Sequence, residues 1–184
     1  MTEQVRAPQP PPADGAADPR PGPHPAPGPP DDGRPSRVDS LLESVRSGLA
    51  RLTPEAAARA RRDEDALLVD IRYAALRERD GTIPGALVVE RNELEWRLDP
   101  TCPHRSPEAF PPARGAWGDP KAFDLLVVVV CNEGYASSLA ARSLRELGLH
   151  RATDLEGGFQ AWRAAGLPVT GPGDRSGGPG PGTA

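Results

Sequence analysis

Large apolar side chains fall almost entirely between positions 38 and 170 of this 184-residue chain. The strongest feature there is Leu125-Leu126-Val127-Val128-Val129-Val130, six apolar residues that run straight into Cys131. An apolar run without alternation predicts a parallel strand covered on both faces. Ala66-Leu67-Leu68-Val69 predicts a second strand, ending in Asp70-Ile71-Arg72, and Ala86-Leu87-Val88-Val89 a third. Ala152-Thr153-Asp154-Leu155 predicts a short fourth, and a brief extended segment ends at Thr53.

Between the strands the apolar period becomes helical. Positions 38, 41, 42, 45 and 49 share one face, which predicts an amphipathic helix packed on the domain. Thr53 and Pro54 predict a capped helix start running to about Arg62. Residues 73–79 predict a helical turn. Residues 90–98 predict a helix with Asn92 as cap and Leu94, Trp96 and Leu98 as apolar contacts. After the cysteine loop, Leu139, Ala140, Ala141, Leu144 and Leu147 predict a helix closed by Gly148, with Ser137 and Ser138 available as caps. A last helix over 159–165 ends before Gly166 and Pro168. Residues 99–120 hold Pro100, Pro103, Pro107, Pro111, Pro112 and Pro120, a long irregular loop with Cys102 inside it.

Strands alternating with helices predict an α/β fold of three α/β/α layers around a parallel sheet. Ligands of such sheets bind outside the strand C-termini, where the strand order reverses. Asp70, Arg72 and Cys131 all stand at strand C-termini, so they are expected to converge.

Residues 1–36 carry Pro10-Pro11-Pro12 and a Pro-Gly-Pro pattern at Pro21-Gly22-Pro23. Such a segment buries too little surface to offset its ordering entropy, so a disordered Pro-rich tail is predicted. The Gly/Pro segment 171–184 reads the same way. The domain is therefore expected over 51–170, with 37–50 as a helical extension. The net charge of −4 gives no basic nucleic-acid footprint. No apolar run approaches a membrane span, and Met1 to Arg6 lacks the apolar core of a secretory signal. Two cysteines make no disulfide framework, so a reducing, cytoplasmic setting is expected. Two cysteines and three histidines also lack metal-ligand spacing.

The chemistry centres on Cys131-Asn132-Glu133-Gly134-Tyr135-Ala136. A thiolate is the nucleophilic form of cysteine, and a following helix N-terminus favours the anion through its unpaired N–H groups. Gly134 permits a left-handed turn, so successive N–H groups can face inward and cradle a thiolate or a terminal persulfide sulfur.

The sequence resembles the rhodanese-like (sulfurtransferase) domain family. The matching pieces are Leu52-Thr53-Pro54-Glu55-Ala56, Leu68-Val69-Asp70-Ile71-Arg72, Ile83-Pro84-Gly85-Ala86, Val130-Cys131-Asn132-Glu133-Gly134 and Leu155-Glu156-Gly157-Gly158-Phe159-Gln160-Ala161-Trp162. The resemblance implies a five-stranded parallel sheet of order 3-2-4-5-1. It also implies an active-site loop carrying sulfane sulfur as a persulfide on Cys131, from a thiosulfate or persulfide donor to a thiol or cyanide. In this reading Cys131 is the nucleophile, Asn132, Glu133, Gly134, Tyr135 and Ala136 form the cradle, and Asp70 and Arg72 match the family's strand-end pair. No cofactor is needed, and the partners are a small-molecule or protein sulfur donor and a thiol acceptor; the tails are a candidate site for a protein partner.

Two places depart from the family pattern. The loop lacks the arginine common in the family and carries Glu133, whose carboxylate repels an anionic donor. Thr82 stands where the family has a histidine. Arg91 and Arg97 are candidate anion contacts, with a solvated helix face as the plainer reading. Cys102 is either incidental or a resolving thiol. The alternative function is a low-turnover rhodanese-fold module that binds a partner or senses sulfur or redox state. A related phosphatase chemistry needs an arginine six residues after the cysteine; that residue is Ser137.

Overall fold

The computed structural model of the chain describes residues 34–114 and 117–171. The expected tails lie outside those residues, apart from positions 34–36 and 171. The chain divides after Arg34 into two units, and every element below belongs to the second.

Helix α1 (Arg37–Arg46) starts at Ser36, whose hydroxyl accepts from the Asp39 N–H while the Asp39 carboxylate accepts from the Ser36 N–H. This reciprocal cap satisfies two end groups at once. Leu42 and Val45 are buried, whereas Val38 and Leu41 are about half exposed. The expected apolar stripe is thus used only in its C-terminal half, where α1 lies against α5 (Ala136–Glu146). Helix α2 (Pro54–Asp63) is capped by Thr53 as expected.

Strands β1 (Leu67–Asp70), β2 (Leu87–Val88), β3 (Val127–Val130) and β4 (Thr153–Asp154) form one parallel sheet of order β2-β1-β3-β4. The fifth strand implied by the resemblance is not formed among the described residues. The segment around Leu52 makes one parallel bridge, to Leu155, beside β4. Pro54 follows two residues later, and its missing N–H ends any ladder there.

Alternate residues of β3 enter two separate cores. Val127 and Val129 pack with Leu94, Leu98, Ala140, Ala141 and Leu144 on one face. Val128 and Val130 pack with Ala57, Ile83, Phe159 and Trp162 on the other. Cover on both faces explains why β1 and β3 are apolar without alternation. Helix α3 (Ala74–Asp80) leads from β1 toward the edge strand β2, and the chain then returns to β3 on the far side of β1. The order therefore reverses between β1 and β3.

Residues 90–98 differ from expectation. A 3-10 turn (Arg91–Glu93) precedes a five-residue α4 (Leu94–Leu98), so Asn92 is not a cap. Leu94 and Leu98 are fully buried while Trp96 is 57% exposed. Positions 94 and 98 share a helix face, and 96 points nearly opposite. In the proline-rich loop, Ser106, Ala109 and Phe110 are buried, and 3-10 turns span Pro112–Arg114 and Pro120–Asp124. Helix α6 (Gly158–Ala164) closes the domain. Thr82 and Thr170 form an antiparallel bridge with their hydroxyls 2.7 Å apart, tying the C-terminal segment to the α3–β2 connection.

Candidate active site

Strand β3 delivers Cys131 to the end of the sheet at 8% exposure, and α5 begins at Ala136, just past the loop. The Gly134 N–H donates to Cys131 Sγ at 3.2 Å. Gly134 has φ +80°, and a Cβ there would come within 2.8 Å of the Gly157 nitrogen. Only glycine satisfies both conditions. Tyr135 stands at the helix N-cap without a side-chain cap bond. Ser137 and Ser138, expected as caps, are instead turned into the protein.

The loop carbonyls are held from outside. The Phe159 N–H donates to the Cys131 carbonyl at 2.9 Å, and the Gln160 N–H to the Asn132 carbonyl at 3.1 Å. A trans peptide sets its C=O and N–H in opposite directions. Tying those carbonyls toward α6 therefore turns the following N–H groups, of Asn132 and Glu133, the other way. Gly158 makes this approach possible: it has φ +59°, and a Cβ would meet the Cys131 carbonyl oxygen at 2.4 Å. Gly158→Ala is expected to lose at least about 2 kcal/mol of stability in urea unfolding, from backbone strain plus overpacking. A loss under about 0.5 kcal/mol would show that the loop yields easily.

Beneath the loop lies a buried polar network. Ser137 Oγ is 3.2 Å from Cys131 Sγ and 3.3 Å from Asp154 Oδ2. Ser138 Oγ donates to Asp154 Oδ2 at 2.8 Å. Asp154, at the end of β4, has no exposure. Arg51 answers its charge with two bonds, Nε to Oδ1 at 2.9 Å and Nη2 to Oδ2 at 3.1 Å. Burial disfavours the Arg51 cation, but the bonds and charge of Asp154 outweigh it and the pKa is raised, with Glu156 and Cys131 acting in the same direction. Arg46, from the last turn of α1, donates to the Gly134 carbonyl at 2.7 Å and to Ser138 Oγ at 3.2 Å.

A model of the rhodanese-like domain family matches residues 53–165. The chain belongs to the rhodanese-like domain family. A sulfurtransferase of Allochromatium vinosum is 33% identical over 109 residues, covering 59% of this chain and 82% of that protein. The thiosulfate sulfurtransferase GlpE of Vibrio cholerae is 40% identical over 47 residues, 26% of this chain and 44% of that protein. A Rhodopseudomonas palustris protein of unknown function, described as a possible tyrosine phosphatase, superposes with a TM-score of 0.60. It is 32% identical over 73% of this chain and 95% of its own.

Around this rhodanese-like loop the other expected residues are distributed as follows. Asp70 and Arg72 sit at the end of β1, with both side chains fully buried. Arg72 gives Asp70 bonds of 2.7–3.1 Å and donates to the Gly81 carbonyl at 2.8 Å. Its guanidinium lies 3.5 Å from the centroid of the Phe159 ring. Phe159 is the residue whose N–H donates to the Cys131 carbonyl, so the pair is linked to the loop by contact through α6. Asn132 accepts from Gln160 Nε2 at 3.0 Å, and Gln160 also reaches Asp80. The Arg79 guanidinium, bonded to Asp80 at 2.7 and 2.8 Å, holds that carboxyl down to about 2. Glu133, Tyr135 and Ala136 are exposed at the rim.

Arg91 pairs with Glu95 one turn away, and Arg97 donates to the His104 carbonyl at 3.2 Å. The bonds of both arginines stay within the segment from the 3-10 turn at Arg91 to the proline-rich loop. Cys102, partly buried, accepts from the His104 N–H at 3.4 Å, and both cysteines are free thiols. A depression of about 620 Å³ opens at the opposite end of the sheet, lined by Leu126, Ala152, Thr153 and Arg59, away from the cysteine.

Arg46, Arg51, Ser137, Ser138 and Asp154 form a layer that sequence reasoning did not assign to the site. Asp154 carried a usable signal, since it is a charged residue within a short predicted strand. Arg46 carried none, because it belongs to a helix before the family segment. Among the described residues no cluster of His, Cys, Asp or Glu suits a metal ion, and no helix is long and apolar enough to cross a membrane.

Proposed function

We propose that the chain is a sulfurtransferase that moves sulfane sulfur through a persulfide on Cys131. One observation carries the reading: a nearly buried sulfur accepts a backbone N–H inside a loop whose carbonyls are tied outward. A site rich in inward N–H groups stabilises a sulfur anion before and after transfer. The Cys131 thiolate attacks the outer sulfur of a donor. With thiosulfate the sulfur–sulfur bond breaks, sulfite leaves with the bonding pair, and Cys131 becomes a persulfide anion. Cyanide or a thiolate then takes the terminal sulfur, giving thiocyanate or a new persulfide and restoring the Cys131 thiolate. Neither half-reaction requires a cofactor. Asn132 to Ala136 form the cradle, Asp70 and Arg72 support it, and Arg91 and Arg97 are candidate anion contacts. A small-molecule or protein donor and a thiol acceptor are the partners, in a reducing compartment such as the cytoplasm.

Phosphoryl transfer has less support, because Ser137 replaces the arginine that would clamp phosphoryl oxygens. The second reading, a low-turnover module that binds a partner or senses sulfur, draws on exposed Glu133 and on Tyr135, 54% exposed at the rim. Intact mass after incubation with thiosulfate or a low-molecular-weight persulfide separates the two. The enzyme reading expects a gain of one sulfur atom that cyanide removes; no uptake from either donor overturns it.

Glu133 directs donor choice in this reading. Replacing its negative charge with a positive one, Glu133→Arg, is expected to raise kcat/KM for thiosulfate about three- to tenfold by attracting the dianion. The gain should shrink at high ionic strength. An unchanged rate would place Glu133 off the donor path.

A further inference from the structure

We infer that Arg46, on the helix preceding the family segment, is a positioning residue of the sulfur site. The inference rests on the sulfur-transfer reading for its rate effects, but its geometry stands apart from it. Helix α1 ends at Arg46, before the family match begins at residue 53, yet this side chain reaches across to the cysteine loop.

Its Nη2 donates to the Gly134 carbonyl at 2.7 Å, and Arg51 Nη2 approaches the same oxygen at 3.5 Å. The Gly134 carbonyl is thus drawn outward, toward α1. By peptide planarity the N–H of Tyr135 then points the opposite way, into the loop. Arg46 does for the Gly134–Tyr135 peptide what Phe159 and Gln160 do for the two peptides after Cys131 and Asn132. Its Nε also donates to Ser138 Oγ, and that hydroxyl lies 2.8 Å from Asp154 Oδ2 and 3.2 Å from the same Gly134 carbonyl oxygen. Arg46 lies over the Tyr135 ring as well, 5.4 Å from its centroid. Leu42 and Val45 are the buried residues of α1 and hold its C-terminal half against the domain. Two arginines behind the loop therefore supply positive charge where the loop itself has none. Glu133 stands at the rim, Asp154 lies beneath the sulfur, and Glu156 acts on Arg51.

The test uses the full chain and two variants, Arg46→Gln and Arg46→Lys. Persulfide loading from a low-molecular-weight persulfide is followed by intact mass, and Cys131 reactivity by iodoacetamide alkylation in the absence of any sulfur donor. Arg46→Gln is expected to lower the maximal loading rate roughly tenfold, with KM changed less than about twofold, because the lost contact orients a donor of the transition state rather than binding substrate. Alkylation should slow in parallel, and Arg46→Lys should recover part of both, since an ammonium can still donate to the Gly134 carbonyl. A folded Arg46→Gln with wild-type loading and alkylation overturns the inference. Should Arg46→Gln fail to fold, Arg46→Lys decides it: the Tyr135 amide resonance is expected to move and alkylation to slow, and no change in either overturns the role. If the wild-type chain takes sulfur from no donor, the sulfur-transfer reading fails, while slowed alkylation in Arg46→Gln still supports the positioning role.

Discussion

Cys131→Ser is expected to gain no sulfur from any donor, a loss of at least about 10³-fold in loading, as for removal of an enzyme's nucleophile. The hydroxyl is nearly isosteric with the thiol and can still accept from the Gly134 N–H and meet Ser137. It does not ionise near neutral pH, and its oxygen is a poor nucleophile toward sulfane sulfur. Stability should therefore stay within about 1 kcal/mol of wild type in urea unfolding, separating chemistry from folding. Cys102→Ser is the companion variant, because the structure holds two free thiols. Loading that persists in Cys131→Ser and disappears in Cys102→Ser would move the nucleophile to the proline-rich loop and end the present reading.

The second large effect concerns stability. Asp70→Ala removes the one carboxylate bonded to Arg72 among the described residues and leaves a fully buried guanidinium without its counter-charge. Breaking one side of a buried ion pair costs about 3–5 kcal/mol, because the remaining charge stays desolvated. Arg72 would keep its bond to the Gly81 carbonyl and its contact with the Phe159 ring, neither of which neutralises it. Chemical denaturation should show the midpoint fall with little change in slope. The double variant Asp70→Leu with Arg72→Met is expected to be more stable than Asp70→Ala, since it removes both charges and keeps apolar volume. A double variant no better than Asp70→Ala would mean that the pair shapes the chain rather than neutralising charge. Because Arg72 packs on Phe159, and Phe159 holds the Cys131 carbonyl, Asp70→Ala should also slow loading in whatever fraction remains folded.

Much of this arrangement is legible in local pattern. The runs ending at Asp70 and Cys131 are uninterrupted apolar strands because both faces are covered, and both strands form where expected. Thr53-Pro54 marks a helix start for reasons internal to one turn of chain. Other features are hidden from it. Trp96 counts as apolar in any pattern, but on a five-residue helix the face is settled by Leu94 and Leu98. Ser137 and Ser138 suit a cap by type, yet Asp154 offers them a buried carboxylate that solvent would not. The edge strand at Leu52 shrinks to one bridge because Pro54 has no N–H to extend it.

By itself the sequence determined the order of strands and helices, the family and the cysteine loop, because period, caps and glycine positions act over a few neighbouring residues. Only the tertiary structure decided what stands behind that loop. Asp154 lies 17 residues beyond Ser137, and Arg46 lies 88 residues before Gly134, yet both meet there. Their contacts arise from β4 pairing with β3 and from α1 lying on α5. No local pattern encodes that packing, since a helix outside the family segment shows only which face is apolar and not what its last arginine will touch.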